Sequence, residues 1–201
     1  TIRGSSDRGG FTADNFAVRK ISSIGSQSPK SFVDVKGFPV WWSEEGIQQI
    51  DYNPQFDSFQ VNSLTQESLK RQYLTIPAYN RRFTKGAYDS HIDFIYWLYS
   101  DDQNTAEVTQ SSFNKVLIYH TKGKSFATWT LPTASSIQVK GVVFVQDSIG
   151  ISNPQVKFVS SYPSSTNQKL VYAELKPSSY TDWATYAADS SGNSADTNPF
   201  V

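Results

Sequence analysis

Few residues in this chain carry reactive chemistry, and their spacing decides what they could do. The 201 residues contain two histidines, His91 and His120, and no cysteine or methionine. No His-Glu-x-x-His run and no His-x-His pair is present. His120 alternates in phase with Val116 and Ile118, which reads as a packed or edge histidine of a strand. His91 precedes an apolar run and reads as a loop residue. Serines are abundant, so a Ser-His-Asp arrangement stays open, but no Gly-x-Ser-x-Gly elbow supports one. Carboxylates pair at Glu44-Glu45 and at Asp101-Asp102. A glycosidase needs two carboxylates about 5–9 Å apart across a cleft. Neighbours on a hairpin tip diverge and stay solvated, so both pairs read as polar turns. The segment Asp101-Asp102-Gln103-Asn104 offers oxygens to a calcium ion, but lacks the glycine and terminal glutamate of an EF-hand. No phosphate-binding loop or dinucleotide fingerprint occurs. The expectation is no catalytic residue, no metal and no cofactor. One basic cluster remains: Lys70, Arg71, Arg81, Arg82 and Lys85, interleaved with Tyr73, Tyr79 and Phe83. It could contact phosphates or an acidic partner surface, or it could be a solvated helix face and loop.

Composition narrows the class. Charged residues are 18% and aromatics 14%, a balance suited to β-structure whose polar faces use Ser, Thr, Asn and Gln. Eighteen basic and eighteen acidic residues cancel, which argues against a surface that grips nucleic acid over its whole extent. Without cysteine there are no disulfides or thiolate metal sites. No apolar run approaches the roughly 18 residues of a membrane span, and no signal peptide is visible. The chain opens in loop-like sequence without methionine and stops at Asp-Thr-Asn-Pro-Phe-Val, so it is expected to be a piece of a longer polypeptide.

The elements that would position these residues are mostly strands. Ile92 to Tyr99, Phe113 to His120 and Phe126 to Leu131 are β-type runs, the last two joined by Thr121-Lys122-Gly123-Lys124. Their period of two predicts a meander, with Tyr96, Trp97, Tyr119 and Trp129 packing between sheets. Upstream, strands are expected at Ser31 to Val35, Phe38 to Trp42 and Ile47 to Asp51. Lys36-Gly37 and Ser43 to Gly46 would make the turns. Pro39 belongs at a strand start or bulge. Phe16 to Ile24 is a weaker strand, and Thr1 to Asn15 reads as loop. Downstream strands are expected at Ile137 to Gln146, Val156 to Ser161 and Lys169 to Leu175, with Thr181 to Tyr186 as one more. Between Asn62 and Ile76 the period changes. Leu69, Tyr73 and Ile76 share a helical face, Thr65 is a candidate N-cap, Leu64 and Leu69 form a hydrophobic staple, and Pro77 stops the helix.

An apolar run before an acidic turn recurs near Ser43, Ser100 and Asp147. The intervals of 57 and 47 residues, the longer one including the helix, each hold about four strands and suggest propeller blades. The expected fold is therefore all-β: antiparallel meanders forming about three to four blades of an incomplete β-propeller, with one short helix near residues 65–76. A sandwich or jelly roll is the competing architecture. The expected divisions are a loop over 1–15, a first blade over 16–61, a helical connection over 62–86, a second blade over 87–132, a third over 133–186, and a tail over 187–201.

Three stretches carry a family resemblance. SIGSQSPKSFVDVKGFPVWWSEEGI, SLTQESLKRQYLTIPAYNRRFTKGAYD and the IYWLYSDD…FNKVLIYHTKGKSFATWTLP meander resemble, in content and order, the β-propeller tail nozzle proteins (tail tubular protein B) of short-tailed bacteriophages. The pattern spans roughly Ile21 to Leu175. Tail hub or plug proteins have similar blades. The resemblance implies a structural virion protein in the tail, without catalysis or cofactor. It implies a six-subunit ring below a portal adaptor ring, with tail fibres or spikes attached and double-stranded DNA passing through the lumen during ejection. It assigns no functional residue. The alternatives are a propeller hydrolase acting on surface glycans and a cellular propeller serving as an interaction scaffold.

Overall fold

Period-two alternation dominates the chain, and the strands it produces pair almost wholly with their sequence neighbours. The computed structural model describes residues 2–4, 16–18, 20–66, 68–104, 113–131, 138–145, 155–163 and 168–174. A short antiparallel pair, β1 (Ile2–Gly4) and β2 (Phe16–Val18), stands apart from the other sheets. Three meanders follow. The first sheet is β3 (Val33–Val35), β4 (Phe38–Trp42), β5 (Ile47–Asn53) and β6 (Ser58–Ser63). The second is β7 (Lys85–Asp89), β8 (Phe94–Tyr99), β9 (Lys115–His120) and β10 (Ser125–Thr130). The third is β11 (Gln138–Val145), β12 (Gln155–Pro163) and β13 (Gln168–Glu174). Every neighbouring pair is antiparallel. The protein is all-β, with few helices.

Local chemistry explains the turns. Lys36 and Gly37 both take positive φ, 54° and 87°. That geometry follows the right-handed strand twist in a two-residue hairpin. The Asp34 carboxylate accepts the Gly37 N–H at 2.7 Å and fixes the turn. Pro39 lies opposite Asp34 near the start of β4, before pairing with β5 begins at Val40, so its missing N–H costs no ladder bond there.

Faces matter more than turns here. On β8, Ile95, Trp97 and Tyr99 point to one side, with Leu117 and Tyr119 of β9. They meet Val33, Val35, Val40, Trp42 and Ile47 of the first sheet. Tyr96 and Leu98, with Val116 and Ile118, point the other way and meet Val139, Val156 and Phe158 of the third sheet. The second sheet is thus covered on both faces, which is why its central strands read as continuous apolar runs. The first strands of the sheets lie together: β7 packs against both β3 and β11. Gly86 permits that approach, because a Cβ there would stand 2.7 Å from a Val33 methyl and 2.6 Å from the Trp97 ring.

The helical stretch differs from expectation. α1 covers only Lys70–Thr75, and a second turn, α2 (Ala78–Arg81), follows Pro77. Thr65 is not the N-cap. It is buried, and its hydroxyl accepts the Ile47 N–H at 3.3 Å, serving the first sheet instead. Residue 69 takes the cap position, with no side-chain bond. The expected apolar face is present: Tyr73 and Ile76 are buried, and Leu64 and Leu69 pack against the same core. Three boundaries also shift. The segment expected to be loop over 1–15 contains β1. Phe16–Val18 pairs with β1 rather than joining the sheet of β3–β6. β6, a strand the sequence reading did not assign, carries the first sheet to Ser63. Thr181 to Tyr186 lies outside the described residues.

β10 is an outer strand, and Trp129 is half-buried on it, its ring 6.1 Å from that of Tyr96. It packs against the second core from the rim. Trp129→Ala should therefore cost about 1.5–3 kcal/mol, below the range for a fully buried tryptophan, as read from urea-unfolding midpoints.

Candidate functional site

The predicted basic cluster does not form one patch. Arg71 and Arg82 are exposed. Lys70 donates to Gln66 Oε1 at 2.9 Å, along the surface. Arg82 lies over the exposed Tyr79 ring at 6.0 Å. Arg81 turns inward and is only 6% exposed. Its Nη1 donates to the Glu44 carbonyl at 2.6 Å, and its guanidinium lies 5.2 Å from the Tyr73 ring centre. Tyr73 in turn donates its hydroxyl to the Ser43 carbonyl at 2.5 Å. Burial pushes the Tyr73 phenol well above its ordinary range, with Arg81 opposing. Arg81 thus fastens α2 to the β4–β5 turn and is withdrawn from any ligand. Lys85 also points inward, donating to the Lys140 carbonyl at 2.6 Å and lying 5.1 Å from the Phe113 ring centre.

The other sequence candidates sort as follows. Glu44 and Glu45 are exposed on their turn. Asp102 is exposed, but Asp101 is more than a solvated loop residue. Asp101 and Asn114 exchange two bonds: the Asp101 N–H donates to Asn114 Oδ1 at 3.1 Å, and Asn114 Nδ2 donates to Asp101 Oδ1 at 2.7 Å. His91 is exposed in the β7–β8 turn, and the His120 ring packs on Phe94 with centroids 4.7 Å apart. Among the described residues, no group of His, Asp and Glu is arranged to hold a metal ion.

Sequence reading missed the most developed polar constellation, centred on Asp93. This residue ends the β7–β8 turn with φ 60°. Its side chain is 5% exposed. Oδ1 accepts from Lys36 Nζ and from the Tyr88 hydroxyl, each at 2.6 Å. Oδ2 faces Lys122 Nζ at 2.6 Å. Its carbonyl accepts the Thr121 N–H at 2.9 Å. Lys36 belongs to the β3–β4 turn, while Lys122 belongs to the β9–β10 turn. One carboxylate therefore ties three turns and two sheets at one end of the molecule. These partners lie 57 residues before Asp93 and 29 after it, so no local motif announces the set.

Bonds from Lys122, Lys36 and Tyr88 hold the Asp93 carboxyl well below the usual carboxylate range. Burial first, and then Asp93, push the Tyr88 phenol up. The phenol is therefore a fixed donor here and not a base. A carboxyl depressed in the folded state contributes stability that is present above its unfolded value near ~3.9 and lost as pH falls below it. Wild-type thermal midpoints should accordingly drop more steeply between roughly pH 4 and pH 2 than those of Asp93→Asn. Parallel curves would show that the two lysines add nothing specific.

An open groove of about 420 Å³ lies where the first strands meet. Residues 32–34, 86–88 and 142–144, with Ser90, form its walls. Phe32 and Val143 are half exposed there, at 53% and 44%. The lining is apolar apart from Asp34, Tyr88 and Ser90, and the Tyr88 hydroxyl is already committed to Asp93. No nucleophile and base converge among these residues.

No family model and no curated protein matches this sequence. Among solved structures, the chain is similar to the crystal structure of Pseudomonas brassicacearum lignostilbene dioxygenase. The identity is 12%, the match covers 72% of this chain and 35% of that one, and the TM-score is 0.37. The chain spans about a third of the length of that protein. A likeness at this level carries no argument about fold or activity, so the conclusion on class rests on the meanders themselves: the chain is an antiparallel all-β protein.

Proposed function

We propose that this chain builds consecutive blades of a β-propeller and serves as a structural component of the tail nozzle of a short-tailed bacteriophage. One observation carries the propeller part. Three successive antiparallel meanders stack face to face, with their first strands side by side. In a propeller each blade is a meander whose first strand lies near the axis, and each blade buries both faces against its neighbours. The second sheet is covered on both faces and its first strand packs against β3 and β11, which supports this reading. The nozzle part rests on the sequence pattern alone.

On this reading the protein works through its shape and contacts. Six copies would form a ring beneath the adaptor ring, fibres or spikes would attach to it, and the genome would leave through the lumen. Low charge and many aromatic residues suit permanent interfaces, whose centres are depleted of charge. The test is made on particles. Antibodies raised against the chain should label the distal tail of short-tailed virions, and the full-length polypeptide should sediment as a hexamer. A monomer whose antibodies leave tails unlabelled would overturn the proposal.

A further inference from the structure

β3, β7 and β11 each stand at the end of their sheet, so one side of each carries no ladder. The open groove of about 420 Å³ lies against these strands, at residues 32–34, 86–88 and 142–144. That size falls within the ~300–1,000 Å³ of ligand clefts. A strand without a second neighbour presents N–H and C=O groups that can template another strand. On β3 the register shows where these groups point. Lys36 and Gly37 are the central residues of a two-residue turn, so the turn bond joins Val35 to Phe38. Bonded and non-bonded pairs alternate along an antiparallel ladder. Asp34 and Pro39 are therefore a non-bonded pair, which suits the missing N–H of proline. The Asp34 N–H and C=O point to the open side of β3.

Side chains add selectivity. Phe32 and Asp34 share the outer face, because Val33 and Val35 alternate with them and point into the core. Phe32 and Val143 offer half-exposed apolar surface to the groove. Asp34 is the one charged residue among those lining it. Its Oδ1 accepts the Gly37 N–H at 2.7 Å, which leaves Oδ2 for a cation. The ion pairs among the described residues engage Asp93 and Asp101 instead. A carboxylate at this place repels phosphate, so a polynucleotide does not suit the groove. An extended polypeptide does, since it brings backbone groups to a strand edge and alternate side chains to the pockets beside it. Residues directly opposite on paired strands place their side chains together on one face. Asp34 and Phe32 are two positions apart, so a matching strand carries a cation and an apolar residue two positions apart.

We propose that the groove binds an extended peptide segment of a partner protein, added as an antiparallel strand along the open side of β3. A lysine or arginine of that segment stands opposite Asp34, and an apolar side chain two positions later packs against Phe32 and Val143. The site depends on the meeting of the first strands and not on the nozzle reading.

The experiment titrates a fluorescein-labelled peptide, Ser-Thr-Lys-Thr-Leu-Thr-Ser, with the full chain and follows anisotropy. Saturable binding is expected. Asp34→Asn keeps an acceptor for the Gly37 N–H but removes the charge. It should weaken binding about tenfold, the loss of one charge-assisted bond, with the thermal midpoint close to wild type. Phe32→Ser should weaken binding by a similar factor. Phe56→Ser, at a residue 74% exposed in the β5–β6 turn, should leave it unchanged. Two further peptides test strand addition on the unaltered protein, so their result stands even where a variant fails to fold. Methylating the backbone nitrogen of the peptide lysine removes the N–H that meets the Asp34 carbonyl, and should abolish binding. Methylating that of the next threonine, whose N–H points away, should be tolerated. Non-saturable binding, full affinity in Asp34→Asn, or equal binding of the two methylated peptides would overturn the proposal.

Discussion

Trp42→Ala should destabilise the protein by about 3–5 kcal/mol, the range for removing a large buried aromatic side chain. Trp42 is wholly inaccessible to solvent. It ends β4 on the face that meets the second sheet. Its ring lies 5.0 Å from Tyr73, 5.5 Å from Tyr99 and 6.3 Å from Trp97, centroid to centroid. Those neighbours belong to α1 and to β8, so one indole joins the first sheet, the helical connection and the second sheet. Its backbone is also occupied. The N–H donates to Ser31 Oγ at 3.1 Å, and the carbonyl accepts the Gln27 N–H at 2.9 Å. A backbone held this way cannot collapse into the cavity that alanine leaves, which places the loss toward the upper part of the range. Urea unfolding, compared at fixed m-value, reads the effect. A loss under ~1 kcal/mol would mean that the sheets do not share this core. Trp42→Phe keeps a ring against Tyr73 and Tyr99, and should cost roughly half as much.

Gly46→Ala is expected to cost about 2–4 kcal/mol although it adds a single methyl. Gly46 closes the β4–β5 turn with φ 151°, a backbone conformation that side chains disfavour. A Cβ on it would stand 2.2 Å from Thr65 Oγ1. Thr65 cannot yield without loss, because the same oxygen accepts the Ile47 N–H. The Gly46 carbonyl also accepts from the Ser43 N–H at 2.8 Å and the Ser43 hydroxyl at 2.7 Å. The Ser43 carbonyl receives the Tyr73 hydroxyl, and Arg81 binds the neighbouring Glu44 carbonyl. The turn is therefore where β4, β5, β6 and both helices are fastened. Pairing Gly46→Ala with Thr65→Ala separates the causes. If steric clash dominates, the double variant loses less than the sum of the two single losses; if backbone strain dominates, the losses add.

These two sites mark the boundary between local and distant information. The hairpin over Ser43 to Gly46 was readable, because a polar turn with glycine between two apolar runs is a local signal. The role of Thr65 was not. Its position before a helical periodicity suggests a cap, yet its hydroxyl is taken by the N–H of Ile47, 18 residues away in β5. Arg81 was grouped with Arg82 by adjacency, but Tyr73 and the Glu44 carbonyl draw it into the interior. The recurring motif near Ser43, Ser100 and Asp147 also divided. Ser43 and Ser100 each follow the second strand of a meander, whereas the run before Asp147 is β11, the first strand of the third sheet. An apolar run before a polar turn describes any strand, so the pattern could not fix position within a sheet.

By itself the sequence determined the antiparallel all-β class, most strand positions, the short hairpin turns and the buried face of α1. Each depends on side-chain alternation or on a turn residue within a few positions, so the information is local. Only the tertiary structure decided which face of each strand is inside, that β3, β7 and β11 lie together, and that Asp93 binds Lys36 and Lys122. Each of these joins residues tens of positions apart, and such partners meet only when successive meanders stack, so no short window of the sequence contains both sides of the contact.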